Sequence, residues 1–195
     1  MVQQCPVLKI AVPPPPLRSD AQRNRDAVVT AALRVLCERP TASMREVADA
    51  SGVGRTTLYR HFASRDELIG ELQSRVKTEG DAIVDRTLRD EGPALEVLER
   101  LARRFVELGD RYRFLVDSPP DRPAADEQAP ITAYVRRAQR RGELRDDLPA
   151  AWIRDMLRGL AMTALAAIAA GDLDAARAAD HVAATFTAAV APRSE

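Results

Sequence analysis

The sequence predicts an all-α protein, and three features support that prediction. Residues 43–62 contain signals for two short helices separated by a glycine turn. Large apolar residues recur at helical spacing over 95–108, and the segments 150–170 and 175–190 are rich in alanine. With 195 residues and 46% hydrophobic content, the chain can form one fair-sized helical unit or two small ones that share a junction.

The N-terminal residues 1–18 are predicted to be a disordered arm, because four consecutive prolines at 13–16 favour extended geometry over helix. Ser19 and Gln22 then cap the first helix, which ends at Arg39-Pro40. Its apolar residues share one face, which we expect to pack across the next two helices: Val28, Val29, Ala32, Leu33 and Leu36.

The second helix is indicated by a capping box. Ser43 and Glu46 are three residues apart, so each side chain can bond the backbone N–H of the other. Val47 and Ala48 are then expected to face inward. Gly52 should end the helix in a tight turn, because glycine is a poor interior residue and a good left-handed cap.

A third helix is expected to open at Gly54 or Arg55 and to bury Leu58 and Phe62, which lie four residues apart on one face. The rest of its surface is polar: Arg55, Thr56, Thr57, Tyr59 and Arg60. Arginine can donate two hydrogen bonds to guanine, and threonine can contact thymine or a base edge. This face therefore suits the DNA major groove in preference to an ordinary solvated hairpin. Tyr59 and His61, near its rim, are expected to bond phosphates and so to affect affinity more than specificity.

This segment resembles the TetR family of bacterial transcriptional regulators. The shared motifs are Val47-Ala48, Gly52-Val53, Leu58-Tyr59-Arg60-His61-Phe62 and Ser64-Arg65-Asp66-Glu67-Leu68, in which Ser64 and Glu67 form a second capping box. Arg65 stands where the family usually has lysine, and Gly54 stands where serine or threonine is commoner. The resemblance covers residues 19–72, and the segment 141–145 (RGELR) looks like a common C-terminal feature of the family.

The resemblance implies a three-helix, helix-turn-helix DNA-binding domain at 19–64 and a helical effector-binding and dimerisation domain at 65–195. It further implies a homodimer formed through the C-terminal helices, which binds a palindromic operator and is released by a small-molecule effector. The predicted DNA-binding residues are Ser43, Arg55, Thr56, Thr57, Tyr59, Arg60, His61 and Arg65. Arg18, Arg23 and Arg25 are interpreted as solvated charges in preference to DNA contacts.

The C-terminal domain is predicted to begin with a connecting helix from Arg65 to about Val76, followed after Glu79-Gly80 by a second helix, Ile83 to Arg89. Pro93 starts the next helix, and a proline-rich loop occupies 117–130. Two or three helices are expected to follow, at 131–141, 150–170 and 175–190. Aromatic and methionine side chains are candidates for an effector pocket, although core packing is the favoured interpretation of each: Phe105, Tyr112, Phe114, Tyr134, Trp152 and Met156.

The net charge of zero conceals an asymmetry. Residues 1–62 hold 9 basic and 5 acidic groups (+4), and residues 63–195 hold 20 and 24 (−4). A basic N-terminal part is what attraction to phosphate requires. The alternative is a helical protein-interaction or ligand-binding module without sequence-specific DNA binding.

An enzyme is not expected. The chain has two histidines, and it shows no glycine-rich phosphate loop, no metal-spaced cluster and no recognisable nucleophile-base pair. Cys5 and Cys37 lack partners for a disulfide framework or a thiolate metal site, which favours a reducing cytoplasm. The longest small-apolar run, 160–170, is too short to span a bilayer. We therefore expect a cytoplasmic protein with no cofactor, metal or membrane partner.

Overall fold

The computed structural model describes residues 20–115 and 129–193, and no strand occurs within them, as the all-α prediction requires. The expected arm at 1–18 and most of the expected loop at 117–130 lie outside the described residues. The helices are α1 (Asp20–Glu38), α2 (Met44–Ser51), α3 (Arg55–His61), α4 (Arg65–Thr87), α5 (Ala94–Arg111), α6 (Pro130–Arg140), α7 (Ala150–Ala170) and α8 (Ala175–Val190), with a short 3-10 helix at Arg113–Leu115.

The N-terminal helices enclose a core of their own. As predicted, α1 packs across α2 and α3 through its apolar face. The first turns of α4 add Leu68 and Leu72, both fully buried, so this core extends beyond residue 64. Its other buried members are Val28, Val29, Ala32, Val35, Leu36, Ala42, Met44, Val47, Ala48, Leu58 and Phe62.

The local signals that define α2 are confirmed. The Ser43 hydroxyl accepts the Glu46 N–H, and the Glu46 carboxylate accepts the Ser43 N–H at 2.7 Å. Gly52 ends α2 with φ of 68°, a left-handed conformation that costs glycine nothing. The second capping box differs from the prediction, because the Glu67 carboxylate accepts the N–H of Ala63 at 2.7 Å, one residue before the Ser64 N-cap.

The predicted break at Glu79-Gly80 is wrong, because α4 is a single helix of 23 residues. Glycine inside a helix costs about 1 kcal/mol relative to alanine. In the fold, a Cβ on Gly80 would lie 3.6 Å from the side chain of Leu108 on α5. The packing of α4 against α5 therefore outweighs the local preference, and α4 runs unbroken for about 35 Å.

The remaining helices form a second core centred on α5, which packs against α4, α7 and α8. Helices α7 and α8 have the predicted bounds, and α6 begins and ends one residue earlier than predicted. None of the described helices is both long and apolar enough to cross a membrane. The large buried members of this core include Val97, Leu98, Leu101, Val106, Tyr134, Val135, Leu144, Ile153, Leu157, Val182, Phe186 and Val190.

The segment 141–145 joins three helices at one end of this bundle. Gly142 adopts a φ of 72°, and Leu144 is buried in the core. The Glu143 carboxylate accepts the N–H of Ala94 at 3.2 Å, which caps the start of α5. Arg145 donates to the carbonyl of Ala189 near the end of α8 at 3.1 Å. This segment therefore holds the loop after α6 against the ends of α5 and α8.

Candidate nucleic-acid interface

Helix α3 presents one face to the core and the opposite face to solvent. Leu58 and Phe62 are fully buried, which fixes the helix against α1 and α2. Arg55, Thr56, Tyr59 and Arg60 are exposed, with Tyr59 at 50%, and Thr57 is half-buried. The structure thus brings six of the eight predicted DNA-binding residues onto one short helix, and five of them, all but His61, lie on or beside its outward face.

Two arginines on α3 differ from the other arginines of the N-terminal domain. Arg55 and Arg60 form no hydrogen bond or ion pair with any residue that the structure describes, and both are exposed. Elsewhere the guanidiniums are engaged by the protein: those of Arg25, Arg34, Arg39, Arg45 and Arg65. The full donor capacity of the α3 arginines is therefore available to an external acceptor.

The other three predicted contact residues are Ser43 and Arg65, which hold the local structure together, and His61. Ser43 uses its hydroxyl in the α2 cap. The Arg65 guanidinium donates to the carbonyls of Ala42 at 2.6 Å and Pro40 at 2.5 Å. His61 is half-buried, and its Nε2 atom is buried without a hydrogen-bond partner among the described residues. The Nε2 atom of His61 therefore does not lie at the exposed rim, as expected, and a phosphate oxygen cannot reach it in this conformation.

Arg25 is a positioning residue that the sequence interpretation missed. Its guanidinium lies 4.5 Å from the centroid of the Phe62 ring and donates to the His61 carbonyl at 3.3 Å. It also pairs with Glu71 of α4 at 2.6 Å. The signal was present in the spacing, since Arg25 precedes the buried Val28 by three residues and so belongs to the inward stripe of α1. Arg25 is therefore not a solvated charge.

The carboxylate of Glu71 connects Arg25 to a second ion pair between α1 and α4. Arg75 donates to Glu71 at 3.3 Å and to Asp26 at 3.1 Å. Burial by itself raises the pKa of Glu71, but the hydrogen bonds and charges of Arg25 and Arg75 outweigh it and leave that pKa below its usual value. Glu71 is therefore ionised at neutral pH and holds α1, α3 and α4 in a fixed relation.

The end of α5 contacts both α1 and α4. Arg113 donates to the carbonyl of Cys37 at the end of α1, at 3.2 Å, and Phe114 packs against the N-terminal core. Tyr112 is buried and donates to Glu79 of α4 at 2.6 Å. Burial, with the Glu79 hydrogen bond and charge, raises the pKa of Tyr112 to about 12. Besides α4 itself, Arg113 and Phe114 therefore join the bundle to the N-terminal domain, and Tyr112 fixes the end of α5 against α4.

The six predicted pocket residues are not brought together in one cavity. Phe105, Tyr134 and Met156 belong to the core of the bundle. Tyr112 and Phe114 lie at the junction just described, and Trp152 is 61% exposed on α7. A cleft of about 370 Å³ lies between the end of α4 and α5, and none of the six lines it.

Comparison with known proteins agrees with this architecture. A family model described as "Bacterial regulatory proteins, tetR family" matches residues 28–72, which include α2, α3 and the start of α4. The matched residues contain both the buried pair and the exposed polar face of α3. The segment 28–72 of this chain therefore carries the TetR-family signature.

Individual TetR-family relatives extend the match. The transcriptional repressor LfrR of Mycolicibacterium smegmatis is 33% identical over 106 residues, which span 54% of this chain and 56% of LfrR. The regulator NfxB of Pseudomonas aeruginosa is 27% identical over 65% of this chain and 72% of NfxB. The crystal structure of LfrR in complex with proflavine matches with a TM-score of 0.68 at 25% identity, covering 87% of this chain and 97% of that one. By name, these relatives are transcriptional regulators and not enzymes.

Proposed function

We propose that this chain is a TetR-family transcriptional repressor that binds a palindromic operator as a homodimer and is released by a small-molecule effector. The observation that carries the proposal is the pair of exposed, unpartnered guanidiniums on α3, Arg55 and Arg60. In a major groove, each can donate two hydrogen bonds to a guanine. Thr56 and Thr57 supply the methyl and hydroxyl contacts, and Tyr59 supplies a phosphate contact at the rim.

Dimerisation through α7 and α8 is part of the proposal. Both helices expose small residues on the face turned away from the core, among them Ala166 and Ala170 on α7 and Ala184 and Ala188 on α8. Small side chains let helices of two subunits approach closely. A two-fold dimer presents two α3 helices to successive major grooves, so the operator would be a palindrome.

Release by an effector is supported by the continuity of α4. This helix starts at the end of the DNA-binding helices and runs unbroken into the bundle, so a shift of α5 relative to α4 would be transmitted to α3. The relative LfrR has been solved with proflavine bound. The name of LfrR as a repressor supports repression over activation here. A regulator of this kind acts on the chromosome, so the proposal includes a cytoplasmic location.

The test is binding of a labelled fragment of the chain's own promoter, followed by fluorescence anisotropy. Affinity should fall as salt rises, because bound Arg and Lys release counterions from phosphates. Arg60→Ala should weaken specific binding about tenfold or more, since a bidentate guanine contact is worth about 1–3 kcal/mol. Tyr59→Ala should weaken binding to specific and unrelated DNA alike.

The matched control is Arg140→Ala, which removes an exposed arginine from α6, outside the proposed interface. It should leave binding unchanged. If Arg60→Ala and Tyr59→Ala bind like the unaltered protein at moderate salt, the proposed reading face is wrong. In that case the rival function, a helical interaction or ligand-binding module that does not read DNA, is favoured.

A further inference from the structure

The cleft between the end of α4 and α5 has an unusual lining. Its described residues are Ile83 and Arg86 from α4, Arg89 and Asp90 from the turn that follows it, and Arg104 from α5. Three arginines therefore line a volume of about 370 Å³ beside a single carboxylate residue, Asp90. This concentration of positive charge occurs in the part of the chain, residues 63–195, that carries a net charge of −4 (20 basic and 24 acidic).

The carboxylates near the cleft do not neutralise it. Asp90 is shared, at 3.4 Å from Arg100 and 3.8 Å from Arg104. Arg89 pairs only with Asp85, at 3.4 Å in an exposed geometry that contributes little. Arg86 donates to the carbonyl of Ala82 and has no carboxylate partner among the residues that the structure describes. The cleft thus keeps an excess of donors and of positive charge.

Arg104 shows that the positive charge of the cleft is more than compensation of a helix dipole. Arginines in or just beyond the last turn of a helix offset its negative end, which accounts for Arg86 in the last turn of α4 and Arg89 two residues after it. Arg104 comes from α5, and its guanidinium donates at 2.5 Å to the hydroxyl of Thr87. Thr87 is fully buried, and its hydroxyl donates in turn to the carbonyl of Ile83 at 2.7 Å. A buried hydroxyl therefore orients Arg104 toward the cleft before any ligand arrives.

We propose that this cleft binds a phosphate group, either free or as a phosphate ester on a small molecule. Guanidiniums from two helices can bond several oxygens of a tetrahedral phosphate at once, whereas a carboxylate offers only two. The cleft lies about 30 Å along α4 from the DNA-binding helices, so DNA held by α3 is not its ligand. A bound phosphate would bridge the far end of α4 and α5. Phosphate binding does not depend on the proposed function, whereas an effect of the bridge on release from the operator does.

The test is the melting temperature of the full chain without DNA, measured with inorganic pyrophosphate, AMP or acetate against NaCl of matched ionic strength. With pyrophosphate at about 100 times its Kd, the Tm of the unaltered protein should rise by about 5 °C. The double variant Arg86→Gln/Arg89→Gln should bind about 100-fold more weakly, at about tenfold for each lost charged hydrogen bond. Both side chains are exposed; if the double variant nevertheless fails to fold, Arg86→Gln alone should show the tenfold loss.

The matched control is Arg55→Gln/Arg60→Gln, which removes the two unpartnered arginines of α3 and should keep the full Tm shift. Loss of the shift in this control, with retention in Arg86→Gln/Arg89→Gln, would place the anion on α3 and overturn the proposal.

Absence of any Tm shift at about 10 mM pyrophosphate also overturns the proposal. An equal shift with acetate overturns the preference for phosphate. A shift with AMP as large as that with pyrophosphate identifies an ester as an acceptable ligand. Failure of the chain to bind DNA changes none of these outcomes.

Discussion

Arg25 of α1 lies over the ring of Phe62, with 4.5 Å between the guanidinium carbon and the ring centroid, and pairs with Glu71 at 2.6 Å. Phe62 follows directly after α3, and Glu71 lies in the second turn of α4. One side chain therefore fixes the orientation of α3 relative to the helices on both sides of it. The sequence separations of 37 and 46 residues mean that only the folded chain creates this arrangement.

We expect Arg25→Ala to lower the free energy of unfolding by about 1–2 kcal/mol, the usual range for a half-buried ion pair combined with a cation–π contact. The measurement is urea denaturation, repeated for Glu71→Gln and for the double variant. Because the two side chains are partners, the double variant should lose less than the sum of the single losses. If the double variant loses the full sum of the two single losses, the interaction between Arg25 and Glu71 contributes nothing to stability.

Arg45→Ala is the matched control for that series. Arg45 forms an ion pair with Asp49 at 3.8 Å, with 71% of its side chain exposed. Such exposed pairs contribute about 0–1 kcal/mol, so the free energy of unfolding of this variant should lie within about 0.5 kcal/mol of that of the unaltered protein.

The pH dependence of stability should report on Glu71. Its pKa is held below the ordinary value of 4.5 by Arg25 and Arg75 despite the opposing effect of burial. A carboxyl whose pKa is lowered by folding stabilises the fold above its unfolded pKa, and that contribution disappears as pH falls through the folded pKa. The unfolding free energies of the unaltered protein and of Glu71→Gln should therefore differ at about pH 7 and converge toward about pH 3. A difference that stays constant across this range contradicts the assignment to Glu71.

Tyr112 gives a prediction at the alkaline end. Burial and the bond to Glu79 raise its pKa to about 12, so its phenol remains protonated where an exposed tyrosine ionises. The stability that this proton provides is present below the unfolded pKa near 10 and is lost as pH rises through the folded value. In a rapid absorbance titration of the folded protein, Tyr112→Phe should remove a phenolate signal that develops near pH 12. A signal removed near pH 10 instead would show that the hydrogen bond is absent in solution.

The features that the sequence predicted correctly depend on residues a few positions apart. Ser43 and Glu46 cap α2, and Gly52 ends it in the left-handed conformation, all within ten residues. The break predicted at Gly80 is wrong, and there α4 packs against Leu108 of α5, 28 residues later in the sequence. Local propensity cannot include such a partner.

In the candidate sites too, the features set by nearby residues were predictable and those set by distant residues were not. The outward face of α3 follows from helical periodicity, and the structure does expose it. The engagement of Arg65 by the carbonyls of Ala42 and Pro40 depends on residues 23 and 25 positions away. Trp152 is of a residue type that often lines ligand pockets, but it is exposed on α7. Nothing in the sequence around Trp152 distinguishes a pocket residue from an exposed one.

The proposed dimer predicts the effect of a charge on α8. Ala184 is exposed on the small-residue face, so Ala184→Glu should place two carboxylates in a close helix contact and dissociate the dimer. Analytical ultracentrifugation should then detect a monomer, and operator affinity should fall with it because one α3 reads only half a palindrome. Ala21→Glu, at an exposed alanine of α1, should sediment like the unaltered protein. Equal masses for the two variants would exclude this face of α8 as the interface.

Two helical glycines should respond in opposite directions to the same substitution. A Cβ on Gly109 of α5 would lie 2.5 Å and 2.7 Å from the two terminal carbons of Leu165 and 3.0 Å from its Cγ. Leu165 is buried, so it cannot simply turn into solvent. We therefore expect Gly109→Ala to lower the free energy of unfolding by about 1–3 kcal/mol through overpacking of α5 against α7.

Gly70 of α4 is the matched comparison, because a Cβ there meets nothing within 4 Å. Gly70→Ala should raise the free energy of unfolding by about 0.5–1 kcal/mol, since alanine loses less backbone entropy in a helix. Urea denaturation of both variants measures the difference. If Gly109→Ala also stabilises the protein, then α5 and α7 lie farther apart in solution than the contact with Leu165 requires, and Gly109 is not needed for their close approach.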